Sequence, residues 1–213
     1  VAVTPFETSV FINCPFDDGY AAFFRAIVFT IMECGFTPRC ALEEMDSAQS
    51  RMAKILGIIA ECRLSVHDIS RTDLGANGLP RFNMPLELGI VLGARHFDPS
   101  GITPAGRPHP NTVRQCIVFD KDKFRYREFM SDIGGQDIHA HGDHVGSLIR
   151  ELRNWLAIRA KDRQLPGGAF IASRFSEFMT NLPEICGDHK LAPSELTFKD
   201  LVHVIRTWLS APP

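Results

Sequence analysis

No Gly-x-Gly-x-x-Gly, Walker, Gly-x-Ser-x-Gly or Cys-x-x-Cys sequence occurs in this chain of 213 residues. Their absence removes the usual dinucleotide fingerprint, the P-loop, the nucleophile elbow of α/β hydrolases and the redox or zinc cysteine pair. No apolar run approaches the ~20 residues of a membrane span, so no membrane association is expected. The start, from Val1 onward, lacks the basic-then-apolar pattern of a signal peptide, which points to a cytoplasmic protein. Basic and acidic residues nearly balance (23 against 25, net charge −2), and no basic stripe is interleaved with aromatics. Nucleic acid is therefore not the expected partner. Six cysteines sit mostly inside apolar segments and read as buried reduced thiols rather than a disulfide framework. No motif asks for a resident cofactor or metal.

What remains is an alternation of short β-branched runs with amphipathic stretches. Thr8 to Cys14 reads as a strand ended by Pro15. A helix from about Tyr20 to Cys34 follows, with Phe24, Ile27, Val28 and Ile31 at helical spacing and Gly35 as its cap. Phe36 to Leu42 is a weaker strand. Asp46 and Gln49 have the spacing of a capping box for a helix reaching about Cys62. Leu64 to Ile69 is a third strand and Gln115 to Asp120 a fourth, with a Pro- and Gly-rich loop over 97–112 before it. A short fifth strand is expected at Asp137 to His139. Asp143 would cap an amphipathic helix from Val145 to about Ala160. Two more helical segments, about 169–181 and 197–210, follow the break at Gln164–Gly168, the last opened by Thr197 with Asp200 three residues on.

Strand–helix alternation from residue 8 to 160 predicts a flavodoxin-like parallel α/β sheet of four to five strands with flanking helices, over residues 1–163. Residues 164–213 are expected to form a C-terminal helical extension packed on it. In such sheets the ligand crevice lies outside the carboxyl ends of the strands. That rule selects Asn13, Pro15, Phe16 and Asp17 after the first strand, Arg39, Glu43 and Glu44 after the second, and His67, Asp68, Ser70 and Arg71 after the third. The stretch Asn83-Met84-Pro85-Leu86-Glu87-Leu88-Gly89 adds an acid at the start of the next helix. Asn83 is a good N-cap, Pro85 is tolerated only in a first turn, and the helix dipole favours an ionised Glu87 there. The plain structural role for Glu87 is to compensate that dipole.

The patterns Val-Phe-Ile-Asn-Cys-Pro-Phe-Asp, Cys-Arg-Leu-Ser-Val-His-Asp-Ile-Ser and Met-Pro-Leu-Glu-Leu-Gly, in that order, resemble the nucleoside 2-deoxyribosyltransferase superfamily. The chain is also similar to bacterial TIR and TIR-like domains. The resemblance covers roughly residues 8–120. It implies that Glu87 is the catalytic carboxylate, that Asp68 contacts ribose or base, and that Asn13, Pro15 and Phe16 line the substrate pocket. Two departures bear on the reaction. The lead-in to the acid reads Arg81-Phe82-Asn83-Met84-Pro85 in place of an Asp-x-Gly-Thr-like sequence, and the aromatic–Cys pair of TIR enzymes is missing. Hydrolysis of a nucleotide or of NAD as substrate is thus as compatible as deoxyribose transfer.

Breaking an N-glycosidic bond passes through an oxocarbenium-like transition state, which a carboxylate can stabilise or attack. The expected substrate set is Asn13, Pro15, Phe16, Asp17, Arg39, Asp68, Ser70, Arg71 and Asn83 around Glu87, with Phe16 stacking on a base and Arg39 or Arg71 meeting a phosphate. The expected partners are a nucleotide or nucleoside and a second copy of the chain. The alternative is a non-catalytic TIR-like module that senses a nucleotide or assembles with proteins. Asp137-Ile-His139-Ala-His141-Gly-Asp143-His144 contains metal-ligand residue types, but a strand end and a helix cap account for them.

Overall fold

Five parallel strands form one sheet in the order β2-β1-β3-β4-β5: β1 (Ser9–Asn13), β2 (Thr37–Cys40), β3 (Leu64–Asp68), β4 (Gln115–Asp120) and β5 (His139–Ala140). The computed structural model describes residues 6–72, 74, 78–97, 114–160 and 163–210. Register is set by pairs such as Val10 with Leu64, Val66 with Ile117 and Phe119 with His139. Among the described residues, six α-helices flank the sheet: α1 (Ala21–Glu33), α2 (Arg51–Ala60), α3 (Asn83–Phe97), α4 (Val145–Ala157), α5 (Gly168–Asp188) and α6 (Phe198–Ser210). This is the flavodoxin-like strand order, whose direction reverses between β1 and β3. None of the described helices is long and apolar enough to cross a membrane.

Side chains alternate between the two faces of a strand, and here both faces are covered. Val10, Ile12, Leu64, Val66, Ile117 and Phe119 join α1, α4, α5 and α6 in the larger core. Phe11 packs with Ile55, Ile58 and Ile59 of α2 and Val91 of α3, while Val118 meets Met84 and Leu88 of α3. The C-terminal helices belong to the larger core: Phe175 and Phe178 of α5 lie against Phe29 of α1. On α4 the stripe Leu148, Ile149, Leu152, Trp155 and Leu156 is buried, each worth roughly 1.5–3 kcal/mol of transfer free energy.

Several boundaries differ from those expected of the sequence, each for a local reason. Helix α2 starts at Arg51 because the Ser50 hydroxyl accepts from the Ala53 amide (3.1 Å), while the Asp46 carboxylate is used two residues on, by Ala48 (2.9 Å). Asn83 lies inside α3 rather than capping it, since the Leu86 amide bonds back to the Phe82 carbonyl at 3.0 Å. Asp143 does not cap α4. It has a positive φ of 57° and pairs with Lys121 at 2.6 Å, leaving His144 at the cap. The segment 169–181 runs on to Asp188 as one 21-residue helix that tolerates Pro183. The Thr197–Asp200 capping box forms as expected, with the Asp200 amide donating to Thr197 Oγ1 at 3.2 Å and the Thr197 amide to Asp200 Oδ2 at 3.1 Å. Gly35, at φ 71°, closes α1 in the left-handed conformation that glycine adopts without strain. Apart from Phe97, the loop expected over 97–112 lies outside the described residues.

Candidate active site

Asn13 and Asp68 both end central strands, yet they face opposite sides of the sheet. Asn13 is in register with His67, one position before Asp68, and alternation does the rest. The consequence is two polar clusters at the sheet's carboxyl edge, one under α3 and one under the turn that leads into α1.

On the α3 side, Asn13 Nδ2 donates to the Met84 carbonyl and to His67 Nδ1, both at 2.9 Å. Both acceptors must be served by the amide nitrogen, so its orientation is fixed. His67 then carries its proton on Nε2, which faces Ser65 Oγ at 2.9 Å. Burial pushes this imidazole down to about 3, so it stays neutral. The Ser65–His67–Asn13–Met84 chain pins the first turn of α3, and Glu87 sits three residues further on.

Glu87 is only 7% exposed, and among the described residues no hydrogen bond or ion pair meets its carboxylate. Burial raises its pKa to about 7, against the opposing pull of the Arg51 charge at the start of α2. The expectation that the helix dipole would keep Glu87 fully ionised is therefore corrected. Desolvation outweighs a dipole contribution of roughly 0.3–1 kcal/mol, and the group is about half ionised near pH 7. The Cys14 thiol, buried at the end of β1, lies within electrostatic reach of both Asp68 and Glu87. Its pKa is pushed well above the usual thiol range, first by burial and then by Asp68 and, more weakly, by Glu87.

On the other side, Asp68 is fully buried and its oxygens are engaged. The Tyr20 hydroxyl donates to Oδ2 at 2.5 Å and the Ser70 amide to Oδ1 at 2.8 Å. His141 Nε2 lies 3.2 Å from the same Oδ2 but off the hydrogen-bond direction, while its Nδ1 accepts from the Asp143 amide at 3.1 Å. Burial and the Asp68 charge hold the Tyr20 phenol well above its ordinary pKa, so it is a donor here and not a base. Above this cluster opens a crevice of about 530 Å³, lined in part by Tyr20, Phe23, Arg71, Lys121, Arg125 and His141. Glu87 does not line it.

The sequence-selected residues thus separate. Asn13 and Glu87 share the α3 side. Asp68, Ser70 and Arg71 belong to the crevice side, Asp68 beneath its floor. Asp17 links the flanks, bonded to Arg71 at 3.1 Å and lying 3.9 Å from Arg81. Phe16 is 36% exposed and packs edge-on against Phe24, whereas Pro15 is buried. Asn83 is exposed one helical turn above Glu87, on the same face of α3. Arg39 is occupied on the outer strand β2 by Glu43 and Glu61, at 2.5 and 2.9 Å. Tyr20, Lys121, Arg125 and His141 were not selected from sequence as site residues. His139 and His141 turn to Glu151 and Asp68, and no metal-holding group of three or more ligand residues occurs among the described residues.

No family of known proteins, no curated protein and no solved structure matches this chain. What the chain shows is its fold, a parallel five-stranded α/β sheet of flavodoxin-like order with two added C-terminal helices.

Proposed function

We propose that this protein cleaves or transfers an N-glycosidic bond of a nucleoside, a nucleotide or NAD, with Glu87 as the carboxylate that meets the anomeric carbon. One observation carries the reading: a largely buried carboxyl that has no protein partner among the described residues and keeps solvent contact at its oxygens, next to the strand-order reversal between β1 and β3. Native proteins pair buried carboxylates, because an unpaired one costs several kcal/mol once ionised. A carboxyl pushed up by burial to about 7 is matched to acid–base and nucleophilic work near neutral pH. The ionised form in a poorly solvated site favours an oxocarbenium-like centre more than it would in water, or can attack it to form a ribosyl-enzyme. Asn83, exposed one helical turn before Glu87 on the same face of α3, is suited to meet the sugar. The Asn13 bond to Met84 holds the helix that presents the acid.

A second reading, a nucleotide-sensing module without turnover, draws on a different observation: Asp68 has its oxygens committed, and the crevice above it does not include Glu87. Incubation with NAD and a panel of nucleosides and nucleoside monophosphates, followed by chromatography of free base, decides between the two. Release that is lost in Glu87→Gln supports catalysis. Added acceptor bases then distinguish transfer from hydrolysis. No release from any of these substrates removes the enzymatic reading.

A further inference from the structure

The crevice over Asp68 adjoins a second chamber of different character. The two share Arg71 and Thr72 on their walls. The first, about 530 Å³, is mixed, with charged side chains beside the rings of Tyr20 and Phe23; the second, about 210 Å³, is lined mainly by apolar groups, Ile69, Met84, Phe82, Phe129 and Met130 among them. Sites of this combined size typically hold small organic ligands. Each cation of the two linings has an acid beside it: Asp17 lies 3.1 Å from Arg71 and 3.9 Å from Arg81, Asp143 lies 2.6 Å from Lys121, and Asp120 pairs with Arg125.

The cations have different freedom. Arg125 is fixed: its guanidinium reaches Thr72 Oγ1 at 2.8 Å and the Ser70 carbonyl at 2.7 Å, and pairs with buried Asp120. It shapes the crevice, and Asp120 balances its charge. Lys121 pairs with Asp143, and both side chains are about half exposed, so an incoming anion displaces that pair at little cost. In the apolar chamber Phe82 is 66% exposed, and Phe129, 38% exposed with the Arg125 guanidinium over its ring, borders the same small space. Flat apolar rings are the natural occupants of such a space.

We propose that this double chamber is a second ligand site, separate from Glu87, which takes a nucleoside monophosphate with its ring in the apolar chamber and its phosphate against Lys121 and Arg71. Neither half alone explains the arrangement. A site for an anion alone needs no aromatic annex, and a site for a neutral ring alone needs no loosely paired cation beside it. Glu87 lines neither chamber, although Met84 and Pro85 from the first turn of the same helix border the apolar one.

Calorimetric titration of the whole chain with the four ribonucleoside monophosphates, adenosine and ribose 5-phosphate tests this, in wild type, Lys121→Gln, Phe82→Ala and Glu87→Gln. At least one monophosphate is expected to bind about tenfold or more tighter than either fragment. Lys121→Gln should weaken that nucleotide about tenfold and leave adenosine unchanged. Phe82→Ala should weaken it similarly and leave ribose 5-phosphate unchanged. Both positions are exposed, so folding is retained, and Glu87→Gln should bind as wild type does. Nucleotides binding no tighter than the fragments overturn the proposal. So do Lys121 and Phe82 variants that bind like wild type, or binding abolished by Glu87→Gln. Nucleotide binding without base release by any variant sinks the N-glycosidic reading and leaves this one standing.

Discussion

The side-chain amide of Asn13 donates to the main-chain carbonyl of Met84 at 2.9 Å, tying the end of β1 to the first turn of the helix that carries Glu87. The same nitrogen serves His67, so both of its hydrogens are committed. Replacing Asn13 by aspartate keeps the shape and removes the donors, leaving an acceptor facing two acceptors in a buried place. Asn13→Asp should lower stability by about 2–3 kcal/mol, measured by urea unfolding near pH 7. An unchanged midpoint would mean that α3 is held by packing alone.

Glu87 makes stability depend on pH in the opposite direction to a salt-bridged acid. Its folded pKa, about 7, lies above the ordinary 4.5, so the native state holds the proton more tightly than the unfolded chain. The penalty is absent below pH 4.5, grows between about 4.5 and 7, and is complete above that. At about 1.4 kcal/mol per unit, Glu87→Gln should gain up to roughly 3 kcal/mol over wild type at pH 8 and almost nothing at pH 4.5. Denaturant midpoints of the two proteins at both pH values give the comparison. A variant equally destabilised at both would show that the carboxyl has a structural partner.

Arg51 is the cation that opposes the upward shift of Glu87. Arg51→Gln should therefore move the ionisation of Glu87 to higher pH. A carbon-13 NMR titration of the glutamate carboxyls, with Glu87→Gln assigning the signal, reads it directly. A downward move, or none, would mean that the two groups are not coupled.

Asp120 is fully buried at the end of β4, where burial raises its pKa and Arg125 counters that. Removing the guanidinium strands a carboxylate whose Oδ2 is already without a partner. Arg125→Met should cost about 3 kcal/mol, and Asp120→Asn in the same background should restore part of it. Urea unfolding of the three variants forms the cycle. Independent, additive losses would contradict a coupled pair.

Much of this fold is legible in the chain. Gln115 to Asp120 is the fourth strand residue for residue, and the alternation of runs with stripes points to the parallel sheet. What local pattern cannot carry is which side of the sheet a strand-end residue faces relative to another strand. Asn13 and Asp68 look equivalent as residues at strand ends, and register alone separates them. Tyr20 and His141 reach Asp68 from 48 and 73 positions away, a meeting that only the assembled sheet creates. The protonation of Glu87 was misjudged for a related reason. The helix dipole is a local property and can be read from Asn83 to Gly89, whereas desolvation depends on what α2 and β1 place over the acid.

The central claim is that Glu87 is the reactive carboxylate, and the pH dependence of base release tests it most directly. Free base liberated from NAD and nucleoside monophosphates should rise with pH through an apparent pKa near 7, and Glu87→Gln should lower the rate by about a thousandfold or more at pH 8. Base release by Glu87→Gln at the wild-type rate, or release in the wild type that does not change between pH 5 and pH 8, would contradict it.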